Sequence, residues 1–128
     1  MALTNTPPKA IILVVEDESL LRMAGVAMVE DAGFEAIEAS NAEEAIRLLE
    51  SRDDVRPVFT DIDMPPGSMN GLKLAAAVRD RWPPIAISIA SGNRVPQKSD
   101  MPEGAVFFAK PYQQDAIMAT MQDMLRAA

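Results

Sequence analysis

Five short apolar runs, separated by stretches of helical period, constrain this chain more than any other feature of it. "AIILVV" (Ala10–Val15) is a continuous, largely β-branched run, as expected of a strand buried on both faces. "FEAIEAS" (Phe34–Ser40) alternates like a strand with one wetter face; "PVFT" (Pro57–Thr60), "IAISIAS" (Ile85–Ser91) and "AVFFA" (Ala105–Ala109) supply three more. Between them the period changes. After "EDES" comes a helix with Leu20, Ala24, Ala27 and Met28 on its expected apolar face, ending near Gly33. "SNAE" (Ser40–Glu43) reads as a capping box that opens a second helix through Ala45, Ile46 and Leu49. Gly71 to Arg81 is a third helix, closed by "WPP", and the last carries Ile117, Met121, Met124 and Leu125 on one face. From Gly92 to Gly104, Pro96 and Pro102 leave room for one or two helical turns at most. Strands alternating with helices mean right-handed βαβ units and a parallel sheet covered on both sides, and 128 residues suit one domain with one core.

The composition removes several chemistries. There is no cysteine and no histidine, so thiolate metal sites, disulfides and imidazole catalysis are excluded. A formal net charge of -7 argues against a nucleic-acid or anionic-membrane surface, which needs a basic face. The N-terminus has no basic leader followed by an apolar stretch, and no apolar run is long enough to span a bilayer. The expectation is a cytoplasmic protein with residues 1–8 as a flexible tail and residues 9–128 as the folded domain.

In a parallel sheet of this kind the ligand site lies beyond the carboxyl ends of the strands. That rule turns sequence positions into a place. Glu16 and Asp17 follow the first strand, Asp61 and Asp63 end the third in "FTDIDMPP", Ser91 ends the fourth and Lys110 the fifth. Alone, each has an ordinary role as helix entry, turn or surface charge. Together, Glu16, Asp17 and Asp61 crowd three carboxylates into one pocket, which is unfavourable unless a cation intervenes. Oxygen-only ligands point to Mg²⁺. A metal, an ammonium and a hydroxyl around one carboxylate make a phosphoryl-transfer site.

"LVVEDE", "FTDIDMP", "IASG" and "FFAKPY", in that order, resemble the receiver domain of bacterial two-component response regulators, from about residue 9 to the end. The spacings agree with the family: 61 − 17 = 44 and 91 − 61 = 30. The resemblance implies a flavodoxin-like, doubly wound α/β fold with strand order 2-1-3-4-5 and five helices, the fourth short or irregular. It implies that Asp61 accepts a phosphoryl group from a phosphohistidine of a histidine kinase or histidine phosphotransfer protein. By the same resemblance, Asp17 binds Mg²⁺ directly, Glu16 largely through water, and Asp63 through its backbone carbonyl, with Mn²⁺ able to substitute. Ser91 and Lys110 would hold phosphoryl oxygens, the Lys110–Pro111 bond would be cis, and Phe107 would be the switch aromatic that moves with Ser91. Asp63 and Asn93 would tune the lifetime of the acyl phosphate.

The sequence departs from the family in three places. The loop from Ile62 to Asn70 is about two residues longer than usual, and Asn70 stands where aspartate is common. The third is Gly92–Gly104, where a full fourth helix and part of the output surface normally lie. The expected readout is the face formed by that connection, the fifth strand and the last helix, around Val95, Phe107 and Tyr112. It would bind a protein target or a second copy, with no nucleic acid and no membrane involved. The expectation is a stand-alone signalling domain rather than a turnover enzyme. Two competing readings are a DxD hydrolase of haloacid-dehalogenase type, whose metal ligands would follow the lysine, and a pseudo-receiver that binds without being phosphorylated.

Overall fold

A computed structural model describes residues 11–64 and 69–127. The expected 1–8 tail and the prolines of the lengthened loop lie outside the described residues. The strands are β1 (Ile11–Val15), β2 (Glu35–Ala39), β3 (Val55–Asp61), β4 (Ala86–Ser91) and β5 (Val106–Ala109). All pair in parallel, in the order β2-β1-β3-β4-β5. The helices are α1 (Ser19–Asp31), α2 (Ala42–Ser51), α3 (Gly71–Arg81) and α4 (Gln114–Ala127). A single 3₁₀ turn, Lys98–Asp100, takes the place of the expected short fourth helix. The fold is the flavodoxin-like one expected from the sequence.

The period of two along each strand divides the core into two layers. Leu13, Val15, Val58, Ile87 and Ile89 pack with Leu49 of α2 and Leu74, Ala75 and Val78 of α3. Ile12, Val14, Phe59 and Ala90 face the other way, against Met28 and Val29 of α1 and Ile117, Met118 and Met121 of α4. β1 lies between β2 and β3, so the chain winds outward from β1 and returns across it to β3. The carboxyl ends of β1 and β3 therefore flank the crevice where the winding reverses.

Two local expectations need correction. The buried residues of α1 are Gly25, Met28 and Val29, whereas Leu20 is 78% exposed and Ala24 and Ala27 are also exposed. This helix is apolar on several sides, so hydrophobicity cannot set its rotation. The fit against β1 does: a Cβ at position 25 would lie 3.0 Å from Val14 Cγ1, so the glycine lets the helix sit close. The cap of α2 is shifted by one residue. Asn41, not Ser40, accepts the N–H of Glu44, and Glu44 Oε1 reaches back to the Ser40 N–H at 2.9 Å.

α3 is fixed to the end of β3 by its first residue. The Gly71 N–H donates to the Ile62 carbonyl at 2.8 Å. A Cβ on Gly71 would overlap the Asp61 carbonyl and come within 2.8 Å of Ile62 Cα, both of them backbone. Asn70 caps the helix by accepting the Lys73 N–H at 2.9 Å. The substitution Gly71→Ala is expected to cost about 3 kcal/mol or more, because backbone rather than a mobile side chain must yield. Urea unfolding measures this, and a loss below about 1 kcal/mol would show that the junction relaxes freely.

Candidate functional site

Four strand ends deliver the polar groups of the site. Glu16 follows β1 and is held by backbone: its N–H donates to the Ala39 carbonyl at 3.0 Å, and its own carbonyl accepts from Arg22 at 2.9 Å. Arg22 also pairs with Glu38 at 2.9 Å, tying α1 to β2. Asp61 closes β3. Glu16 and Asp61 are only 7% and 8% exposed, and Asp17 is more open. One carboxylate oxygen from each of Glu16, Asp17 and Asp61 lies within 4.8 Å of the other two. Lys110, following β5, places Nζ 3.1 Å from Asp61 Oδ1 and 3.2 Å from Glu16 Oε1. Its backbone N–H donates to the Ser91 carbonyl at 2.9 Å, tying the ends of β4 and β5 together. The Lys110–Pro111 peptide is cis.

The electrostatics follow from this crowding. Burial pushes the Asp61 pKa above the ordinary range; Lys110 lowers it, and Asp63 and Asp17 raise it further. Glu16 is also raised, by burial first and by the nearby Asp61 charge. For Lys110, burial favours the neutral amine, but its bonds to Asp61 and Glu16 outweigh that and raise its pKa. One ammonium thus serves two buried carboxylates, while Asp17 adds a third carboxylate beside them. Among the described residues Asp61 Oδ1 has no hydrogen bond of good geometry, and its contact with Lys110 is an ion pair. An all-oxygen donor set of this kind, with an acceptor oxygen unspent, fits a hard divalent cation such as Mg²⁺.

The Asp63 carboxylate lies outside this trio and turns toward β4. It accepts from Ser91 Oγ at 3.1 Å and Asn93 Nδ2 at 3.2 Å, and pairs with Arg94 at 3.4 Å. Ser91 is buried, and its Oγ also accepts the N–H groups of Asn93 and Arg94. Neither Arg22 nor Arg94 figured among the sequence candidates. An arginine three residues after a strand gives no sign of its partner, because the pair depends on a loop conformation. Phe107, on β5, is half-buried against the α2–α3 layer. Tyr112 is half-buried and meets Phe59 edge-on, with ring centroids 5.8 Å apart. A cavity of about 730 Å³ around Trp82, Pro83 and Pro84 lies at the opposite edge of the sheet and shares no residue with the acidic site.

The family model for the response regulator receiver domain matches residues 12–122. The chain belongs to that family. Among curated relatives, this receiver is 30% identical over 126 residues to the sensor kinase CckA of Brucella abortus, covering 95% of this chain and 13% of the kinase. It is 27% identical to the chemotaxis protein CheY of Listeria monocytogenes, covering 87% of this chain and 94% of that protein. A response regulator receiver domain from Clostridium thermocellum superposes with a TM-score of 0.81 at 25% identity, covering 92% of this chain and 95% of that one. The receiver spans only 13% to 17% of the length of the first curated relatives it matches. No helix among the described residues is long and apolar enough to cross a membrane. Membership in a signalling family counts against the hydrolase reading, as does the position of Glu16 and Asp17 ahead of Asp61.

Because burial and like charge disfavour ionised Asp61, Asp61→Asn is expected to raise the melting temperature of the metal-free receiver by roughly 2–6 °C. The same change should weaken the stabilisation given by added Mg²⁺. A raised folded-state pKa means that the native chain holds its proton more tightly than the unfolded one. The group's contribution is then most favourable at low pH and is lost as pH rises through the folded pKa. The gap between variant and parent should therefore narrow on acidification through the carboxylate range. Coincident melting curves at neutral pH would show that the three carboxylates do not repel one another.

Proposed function

We propose that this receiver accepts a phosphoryl group on Asp61 from the phosphohistidine of a partner kinase or phosphotransfer protein, in a reaction that needs Mg²⁺. The observation that carries the reading is the meeting of Glu16, Asp17 and Asp61 oxygens within 4.8 Å, with Lys110 Nζ 3.1 Å from Asp61. An Asp61 oxygen attacks phosphorus, the P–N bond to the imidazole breaks, and an acyl phosphate forms on the carboxylate. Asp17, Glu16, Asp61 and the Asp63 backbone carbonyl would hold the cation, which when bound neutralises charge on the phosphoryl oxygens. Mn²⁺ offers the same hard, oxygen-seeking chemistry and would substitute.

The chain's own residues supply the rest. Lys110 is already paired with the acceptor and can follow the charge onto a phosphoryl oxygen while keeping Glu16. Ser91 is the hydroxyl donor from the neighbouring strand, and its backbone tie to Lys110 passes any movement to β5, where Phe107 would respond. Phosphorylation adds about −1.5 to −2 charges and three acceptor oxygens, enough to bias a two-state element by a few kcal/mol. Val95, 78% exposed, with Phe107 and Tyr112 marks the surface offered to a protein target or a second copy. The product would be a switched signal in the cytoplasm, with hydrolysis of the acyl phosphate resetting it.

Intact mass spectrometry after incubation with Mg²⁺ and acetyl phosphate tests this. The expected result is one added phosphoryl group, absent with EDTA and absent in Asp61→Asn. An unmodified parent with no phosphate released would leave a binding module that keeps the residues but not the chemistry. Rapid phosphate release without an adduct would favour the hydrolase.

A further inference from the structure

Ser91 Oγ has no capacity left over. A hydroxyl carries one proton and two lone pairs. Here the proton goes to Asp63 Oδ2 at 3.1 Å, and the lone pairs accept the N–H groups of Asn93 at 3.2 Å and Arg94 at 3.3 Å. The Asp63 carboxylate in turn gathers Ser91, Asn93 Nδ2 and the Arg94 guanidinium. A hydroxyl, an amide and a guanidinium converging on an anion form the donor set that suits a phosphoryl group. In the resting chain an internal carboxylate receives it.

We infer that Asp63 and Arg94 restrain phosphoryl acceptance by positioning Ser91 in its resting place: the Asp63 carboxylate stands in for the phosphoryl group, and Arg94 holds it there. This deepens the acceptor reading of Asp61 and rests on it. One proton cannot serve two anions, so Ser91 reaches a phosphoryl oxygen only by giving up Asp63. The phosphoryl charge drives the exchange, because it raises the negative charge beside Asp63 while offering Ser91 a stronger acceptor. Arg94 sets the threshold. Its side chain is 53% exposed and that of Asp63 32%, so the pair is weak enough to open and strong enough to bias the resting state. The Arg94 backbone N–H keeps its bond to Ser91 whatever side chain is present, so truncation removes the pair without dismantling the loop.

The test is the rate of phosphoryl uptake from acetyl phosphate at saturating Mg²⁺, followed by intact mass. Asp63→Ala keeps the backbone carbonyl and should accelerate uptake about tenfold, the scale of a hydrogen bond to a charged group. In a Ser91→Ala background the same change should gain no more than about threefold, the share due to charge alone. Arg94→Ala should accelerate uptake roughly two- to fivefold in the parent and not at all beside Asp63→Ala. Charge alone predicts the opposite sign for Arg94, since its loss leaves the site more negative. A phosphate-free readout accompanies these rates: backbone amide exchange at Asn93 and Arg94 should quicken in Asp63→Ala. Equal gains with and without Ser91, slower uptake in Arg94→Ala, or unchanged amide exchange would each overturn the inference. Uptake in no chain, parent included, would overturn the acceptor reading and this inference with it; uptake at one rate in all chains would overturn the inference alone.

Discussion

Two buried carboxylates share one ammonium, with a third carboxylate beside them, in a half-dry crevice, and much of the structure is arranged to tolerate that imbalance. Ionised Glu16 and Asp61 are disfavoured where they stand, as their raised pKa values show. Backbone holds them there regardless. Glu16 is pinned through its N–H to β2 and through its carbonyl to Arg22, and Asp61 is fixed by the paired end of β3. A parallel sheet suits this task because each strand ends at the same edge, and the two apolar layers beneath give those ends no freedom to separate. Stability forgone at the rim is supplied by the core, a common arrangement at functional sites.

Much of this was legible in the sequence, for identifiable reasons. Buried parallel strands write themselves as β-branched runs, and polar residues at their carboxyl ends fall on one edge by topology alone. Glu16, Asp17, Asp61 and Lys110 could therefore be placed together before any coordinate was known. Rotation and capping were harder to read. α1 carries apolar residues on several sides, so its buried stripe depends on the close approach of Gly25 to Val14, which no periodicity encodes. Ser40 and Asn41 are both competent caps, and the end of β2 chose between them. The arrangement of Asp63, Ser91 and Arg94 depends on side chains meeting across two loops, a three-dimensional coincidence with no linear signature.

The connection after β4 shows how a family fold can lose an element without losing its frame. Between Gly92 and Ala105 only three residues are helical, yet the segment is not loose at that turn. The Gln97 N–H donates to Asp100 Oδ2 at 2.9 Å, and Met101 packs against the larger core layer. Arg79 of α3 crosses beneath, donating to the carbonyls of Pro83 and Ile85 and so holding the approach to β4. The surface that a fourth helix would have offered is replaced by backbone, Val95 and charged side chains. A partner docking there would meet different contacts from those of a receiver with a complete helix.

The junction at Gly71 separates two kinds of variation. Its N–H closes onto Ile62, and the missing side chain lets α3 start directly against the Asp61 carbonyl. The two ends of the segment between those anchors are thereby stapled together. A change of length beyond Asp63 then transmits little force to the strand beside it. The stretch between Met64 and Asn70 is then a place where evolution can edit length while the positions of Asp61 and Ile62 stay constant. A glycine that contributes no atom to the chemistry thereby insulates the chemistry from its own surroundings.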